Sequence, residues 1–210
     1  MLQANWYFDF VSPFAYLQLG KVLAWRARLD ITPIPIVFGA VLKAQGNLGP
    51  AEIPGKRAYT YRSVLWQAER EGIALRFPPA HPFNSINALR LCVAAGSTWA
   101  AVEALFEHIW HAGNSASVAA ELASVGAKLG IGNVENAANA ASVKSTLRSN
   151  TEMAIAKQIF GVPTLQIGSE IFWGNDAAPM IEDYLADPNR FAGPEYRRIR
   201  DLPVGIERPR

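Results

Sequence analysis

The stretch that most limits how this chain can fold is Trp6-Tyr7-Phe8-Asp9-Phe10-Val11-Ser12-Pro13. Its aromatic and β-branched residues predict a buried strand over residues 6–11. Ser12 is a favoured helix N-cap, and Pro13 suits the first helical position. Phe14, Leu17, Val22 and Trp25 then recur at helical spacing to about Arg28. Thr32-Pro33-Ile34-Pro35-Ile36-Val37-Phe38 predicts a second strand, and its two prolines push it toward a sheet edge or a strand start. The chain therefore opens as strand, helix, strand, the start of an α/β domain.

Residues 39–59 read as irregular, with turn signals at Gly46-Asn47-Leu48-Gly49-Pro50 and Pro54-Gly55. Helical patterning covers most of Tyr61 to Lys157. Ile86, Leu89 and Val93 make one stripe, Val102, Leu105, Phe106 and Ile109 a second, and Val118, Leu122, Val125 and Leu129 a third. Pro78-Pro79-Ala80-His81-Pro82 interrupts them as an extended link. Residues 162–168 and 170–173 then read as a hairpin, and Met180, Ile181, Tyr184 and Leu185 line a closing helix. This order predicts an α/β, thioredoxin-like fold with a large all-helical insertion. Residues 1–45 and 158–190 would form a discontinuous thioredoxin-like domain, 46–157 the helical insertion domain, and 191–210 a C-terminal tail without a clear period.

Half of the 210 residues are hydrophobic and 18% are charged, which supplies a core and argues against disorder. A net charge of +2 gives no reason to expect nucleic acid or a membrane surface as a partner. No apolar run approaches the roughly 20 residues of a membrane span. No charged segment precedes an apolar one at Met1-Leu2-Gln3-Ala4-Asn5, so no signal peptide is read there and the expected address is cytoplasmic. Cys92 is the single cysteine and can form neither an internal disulfide nor a metal cluster. His81, His108 and His111 lack metal-site spacing, and no metal is expected.

Three places offer chemistry, and each also has an ordinary structural reading. Ser12 is either a plain cap or a hydroxyl placed beside the free N–H groups of a helix start, where an anion such as a thiolate is stabilised. Val162-Pro163 is either a strand-start proline or a cis bond that turns the Val162 backbone outward toward an extended, peptide-like ligand. Gly174-Asn175-Asp176 is either a simple N-cap or a seat for the ammonium and carboxylate of an amino-acid head group.

Taken together these residues resemble a family. Phe8-Asp9-Phe10-Val11-Ser12-Pro13-Phe14-Ala15-Tyr16-Leu17 resembles the opening motif of the 2-hydroxychromene-2-carboxylate isomerases, relatives of the kappa-class glutathione transferases and the DsbA oxidoreductases. Gly46-Asn47-Leu48-Gly49-Pro50, Lys56, Tyr59, Phe160-Gly161-Val162-Pro163-Thr164 and Phe172-Trp173-Gly174-Asn175-Asp176 follow in the same order, so the resemblance covers residues 4 to about 186. It implies a glutathione-dependent cis–trans isomerase of aromatic catabolism acting as a homodimer. Ser12 would hydrogen-bond the glutathione sulfur. Asn47 would approach the glycyl end, Val162 before a cis Pro163 would pair with the cysteinyl backbone, and Asn175 and Asp176 would hold the γ-glutamyl head. Lys56 and Tyr59 would face the organic substrate, and Asn84 of His81-Pro82-Phe83-Asn84 would line the pocket unless it caps the next helix. Phe14, Trp66 and Trp173 are candidate walls, with core packing as the plainer reading.

Two other functions compete. A kappa-type transferase would use the same serine but consume glutathione, and a thioredoxin-like binding module would have no catalysis. DsbA-type dithiol exchange needs two cysteines spaced C-x-x-C, where this chain has Ser12 and Ala15, which leaves only Cys92 as a thiol.

Overall fold

The structure is a computed structural model describing residues 1–206; residues 207–210, the end of the expected tail, lie outside the described residues. One four-stranded sheet is built from β1 (Leu2–Phe8), β2 (Leu29–Pro35), β3 (Thr164–Ile167) and β4 (Glu170–Trp173), in the order β2-β1-β3-β4. β2 runs parallel to β1, while β3 and β4 pair antiparallel. Helix α1 (Pro13–Trp25) connects β1 to β2. The expected α/β, thioredoxin-like architecture with helices between its two halves is present.

β1 is paired on both sides, and from Trp6 to Phe8 its side chains are buried on both faces. That is why its sequence is a run of aromatics rather than an alternation. The period of two still sorts the side chains. Trp6 and Phe8 enter the larger core with α1, α4 (Ile86–Ala94) and α5 (Trp99–Phe106), and Tyr7 enters a smaller one with Val41, Ala154 and Val162.

Several boundaries differ from the sequence reading. β1 starts at Leu2 and stops at Phe8, because the chain turns there: Ser12 N–H donates to the Asp9 carbonyl at 3.0 Å. β2 ends at Pro35 rather than Phe38. It is an edge strand, as its prolines require. Ile36 N–H donates inward to the Phe8 carbonyl at 3.0 Å, so by alternation Pro33 and Pro35 direct their missing donors at the open edge. The segment read as irregular contains α2 (Phe38–Ala44) and the start of α3 (Pro54–Glu71). A helix as short as α2 shows little period of its own, and burial of Val41 against the sheet anchors it.

Beyond α5, a π-helical turn at Glu107–His111 is followed by α6 (Ala123–Lys128), α7 (Val134–Asn139) and α8 (Ala141–Ala156). Val118 stays half exposed outside its expected stripe, at the start of a 3-10 turn. β3 begins at Thr164, two residues later than expected. α9 (Ala178–Ala186) buries Ile181 and leaves Met180 half exposed. The tail is ordered into α10 (Pro194–Arg200), with the Phe191 ring against Phe172 and Tyr184. Among the described residues, no helix is long and apolar enough to cross a membrane.

The larger core is an aromatic stack. Trp6 lies 4.6 Å from Phe8, Phe8 5.3 Å from Phe10, and Phe10 4.7 Å from Phe106, centroid to centroid. Phe106 also meets Trp6, Phe8 and Tyr16, so it ties α5 to the sheet and to α1. Phe106→Ala is expected to lower the unfolding free energy by about 3–5 kcal/mol in urea denaturation. A loss under about 1 kcal/mol would show that the stack does not carry the fold.

Candidate active site

The site is built at the turn from β1 into α1. Asp9 sits almost fully buried at the end of β1. Its carboxylate accepts from Val11 N–H at 3.0 Å and from Phe38 N–H at 2.9 Å, so one side chain closes the turn and ties it to α2. Trp110 Nε1–H donates to the Phe10 carbonyl at 2.7 Å, and a ring nitrogen of His81 lies 2.8 Å from the Val11 carbonyl. Every backbone carbonyl from Asp9 to Ser12 thus has a partner.

Ser12 caps α1 with an extended backbone, and Pro13 opens the helix, as expected. Its Oγ accepts from Ala15 N–H at 3.3 Å and lies 3.4 Å from the Val162 carbonyl, next to the cis Val162–Pro163 bond. At 3.4 Å an O–H···O contact is longer than a good hydrogen bond, so the hydroxyl proton is weakly held. Gly161, just before, lies under the Trp173 indole, where a Cβ would collide with the ring nitrogen.

Ser12 opens onto a cavity of about 360 Å³, large enough for a small-molecule ligand. Phe14, Phe38, Phe83 and Trp173 supply apolar walls, and Asp9, Glu52, His81 and Asn84 bring the polar groups. Among the described residues, no lysine or arginine is on the wall. Of the expected site residues, Ser12, Val162 and Asn84 meet there, with Phe14 and Trp173. Asn84 fills both of its readings, since its Oδ1 also accepts from Ile86 N–H at 3.1 Å at the start of α4.

The other expected residues are not on this wall. Pro163 is turned to β4, its carbonyl accepting from Gly174 N–H at 2.9 Å. Asn47, Lys56 and Tyr59 are exposed beside it, on the loop after α2 and the first turns of α3, and the Tyr59 ring carries the Arg62 guanidinium. Trp66 is half exposed under Arg70. Asn175 is buried and has spent its amide: Oδ1 accepts from Lys21 Nζ at 2.9 Å and Nδ2 donates to Gln67 at 3.1 Å, while Lys21 pairs with Glu71. Asp176 is exposed next to it, after Gly174 in a positive-φ conformation.

Sequence reasoning passed over Asp9, Gln18, Lys21 and Tyr61. Gln18 is fully buried, accepting from Trp6 Nε1–H and donating to the Gly174 carbonyl, both at 2.8 Å. Asp9 had a signal, since a charged residue inside an aromatic run must find partners. Burial pushes the Asp9 carboxyl up, and bonds from Ser85, Phe38 and Val11 only partly oppose it. Burial pulls His81 down, against its bond to Val11, and the Arg57 charge adds to the fall. Burial pushes the Cys92 thiol up to about 12. Among the described residues, no three His, Cys, Asp or Glu side chains are grouped to hold a metal ion.

Comparison with known proteins agrees with the fold. Residues 4–186 match the DsbA-like thioredoxin domain family. The chain is 33% identical over 189 residues to a 2-hydroxychromene-2-carboxylate isomerase of Pseudomonas putida, covering 86% of this chain and 93% of that one. It is 28% identical to glutathione S-transferase kappa 2 of Caenorhabditis elegans, over 90% and 93% of the two chains. A solved 2-hydroxychromene-2-carboxylate isomerase structure superposes with a TM-score of 0.78 at 28% identity, covering 90% of this chain and 97% of that one.

Two outcomes follow from the buried groups. Cys92 is expected to resist thiol reagents in the folded protein and to react fully in denaturant; rapid reaction without unfolding would contradict its burial. For His81 the unfolded chain takes up the proton at a higher pH than the fold does. Its contribution is complete above about pH 6.5 and is lost as the pH falls through the lower folded value. Wild type should therefore lose more stability than His81→Gln between about pH 7 and pH 5, and parallel curves would show that burial does not set the charge of the ring.

Proposed function

The chain belongs to the DsbA-like thioredoxin family, in the branch of the 2-hydroxychromene-2-carboxylate isomerases, and from this we propose that it is a glutathione-dependent cis–trans isomerase of 2-hydroxychromene-2-carboxylate-like aromatic compounds. The observation that carries the reading is the Ser12 hydroxyl, capping α1 on the wall of an apolar cavity and 3.4 Å from the Val162 carbonyl. A weakly held hydroxyl beside the cavity-lining Val162 backbone is what a tripeptide thiol requires. Bound glutathione would supply a sulfur nucleophile that adds reversibly to one carbon of the substrate double bond, which turns as a single bond and re-forms when the sulfur leaves.

The chain's own part is to hold the charge and shape the space. Bringing a thiol of ordinary pKa, about 8.5, to half ionisation near pH 7 takes roughly 2 kcal/mol. A hydrogen bond to a charged atom contributes about 1.5–3 kcal/mol, and the N-terminal end of α1 about 0.3–1 kcal/mol. Ser12 and its helix are therefore sufficient without a metal. Asp9 on the same wall would oppose a second negative charge, but burial disfavours its ionised form. Phe14, Phe38, Phe83 and Trp173 would exclude water and hold a flat substrate.

In this reading the Val162 backbone pairs with the cysteinyl residue of glutathione and Asn47 lies toward its glycyl end. Asp176 holds the γ-glutamyl head, with Asn175 keeping Lys21 and the 174–176 turn in place. Lys56, one helical turn before the cavity-lining Thr60, supplies a positive charge for the substrate carboxylate, with Tyr59 beside it and Asn84 on the cavity wall. The exchange of the two DsbA cysteine positions for Ser12 and Ala15 removes dithiol chemistry, and the buried Cys92 cannot replace it.

Ser12→Ala tests the reading. Glutathione should still raise the melting temperature, while turnover of a hydroxychromene carboxylate at pH 7 falls roughly ten- to a hundredfold and the bound thiol pKa rises. Unchanged turnover removes Ser12 from the mechanism. Consumption of glutathione during turnover would identify a transferase, and no thermal shift with glutathione a binding module.

A further inference from the structure

We propose that His81 is a positioning residue for the Ser12 site, clamping the Val11 carbonyl and so holding the Val11–Ser12 connection at the orientation that points the hydroxyl into the cavity. The inference deepens the proposed function, because it takes Ser12 as the group that meets the thiol.

The clamp is a set of hydrogen bonds whose direction is fixed at the Val11 carbonyl. The two nitrogens of the His81 ring lie 2.8 Å from the Val11 carbonyl (Nε2) and 2.8 Å from the Tyr61 hydroxyl (Nδ1). A carbonyl can only accept, so Nε2 carries the proton. In the neutral ring the Nδ1 lone pair faces the Tyr61 hydroxyl, whose one proton lies between Nδ1 at 2.8 Å and the His81 carbonyl at 2.6 Å. Arg57 fits the same order, donating through Nε–H to the Tyr61 oxygen at 3.1 Å and through its terminal nitrogen to the His81 carbonyl at 2.6 Å. Burial and the Arg57 charge both favour the neutral ring. Both ring nitrogens lie against protein groups, Nε2 at the Val11 carbonyl and Nδ1 at the Tyr61 oxygen. This separates a positioning role from acid–base catalysis.

The clamp is also rigid. The His81 ring packs edge-on against Phe77 and Trp110, with centroids at 5.9 Å and 5.5 Å. Trp110 itself donates to the Phe10 carbonyl at 2.7 Å. Two packed rings therefore hold two successive carbonyls, and the next residue is Ser12. A hydroxyl that must meet a sulfur to within a few tenths of an ångström depends on such support.

The test compares wild type, His81→Phe, which keeps a ring but neither nitrogen, and His81→Gln, whose amide N–H can reach Val11. In ligand-free protein, ring-nitrogen NMR should find the neutral Nε2–H form with a slowly exchanging proton. The Ser12 amide should exchange about tenfold faster in His81→Phe and within about threefold of wild type in His81→Gln. With glutathione, the bound thiol pKa in His81→Phe should move toward that of Ser12→Ala, and kcat should fall about tenfold with KM nearly unchanged. Wild-type Ser12 exchange in His81→Phe overturns the proposal. So does a wild-type ring protonated on Nδ1 alone, a measurement that stands even if the Phe variant does not fold. If glutathione fails to bind wild type, the function reading falls, and the exchange and ring-proton results still decide the role of His81.

Discussion

Between the central strand and the first helix the backbone must reverse its course where it is largely buried. Each N–H and C=O left unpaired there would cost about 1–3 kcal/mol. The molecule meets this demand at one turn, residues 9–12, with the turn's own Asp9 carboxylate and three separate segments: the Phe38 start of α2, Trp110 of the π-helical turn and His81 of the loop before α4. The Phe8–Phe10–Phe106 stack, the seating of α2 and the path of the 81–85 loop are all placed by that requirement. The cavity is the space these converging segments enclose.

The same burial that fixes the turn sets the electrostatics of the cavity. Asp9 is held as a hydrogen-bond acceptor, yet desolvation works against its charge. His81 is held neutral, with both nitrogens against protein groups. The cavity wall therefore offers dipoles and apolar surface more than fixed charge, and the basic groups Lys56, Arg57 and Lys21 are arranged outside it. Such a wall favours one developing negative charge at the α1 N-terminus over charge spread across the cavity.

Polar links inside the molecule also connect the Ser12 helix to the turn at residues 174–176. Gln18 bridges Trp6 in the core and the Gly174 turn, and Asn175 joins α1 to α3 through Lys21, Gln67 and Glu71. The turn at residues 174–176 is thus anchored to the helix that Ser12 caps. A displacement of α1 would be felt at both places together.

Much was legible in the sequence because it depends on near neighbours or on residue type alone. Aromatic density marked β1, Ser12-Pro13 marked the helix start, the two prolines marked an edge strand, and a single cysteine excluded dithiol exchange. Only the tertiary structure decided what Asp9, His81 and Asn175 do, since their partners lie 29, 70 and 154 residues away in the chain. It also decided that β1 ends at Phe8 and that α2 is a helix, because burial against distant segments outweighs the weak preference of a short stretch. A backbone preference acts over a turn or two, whereas a hydrogen bond in a dry interior is settled by whichever group folding brings within 3 Å of it.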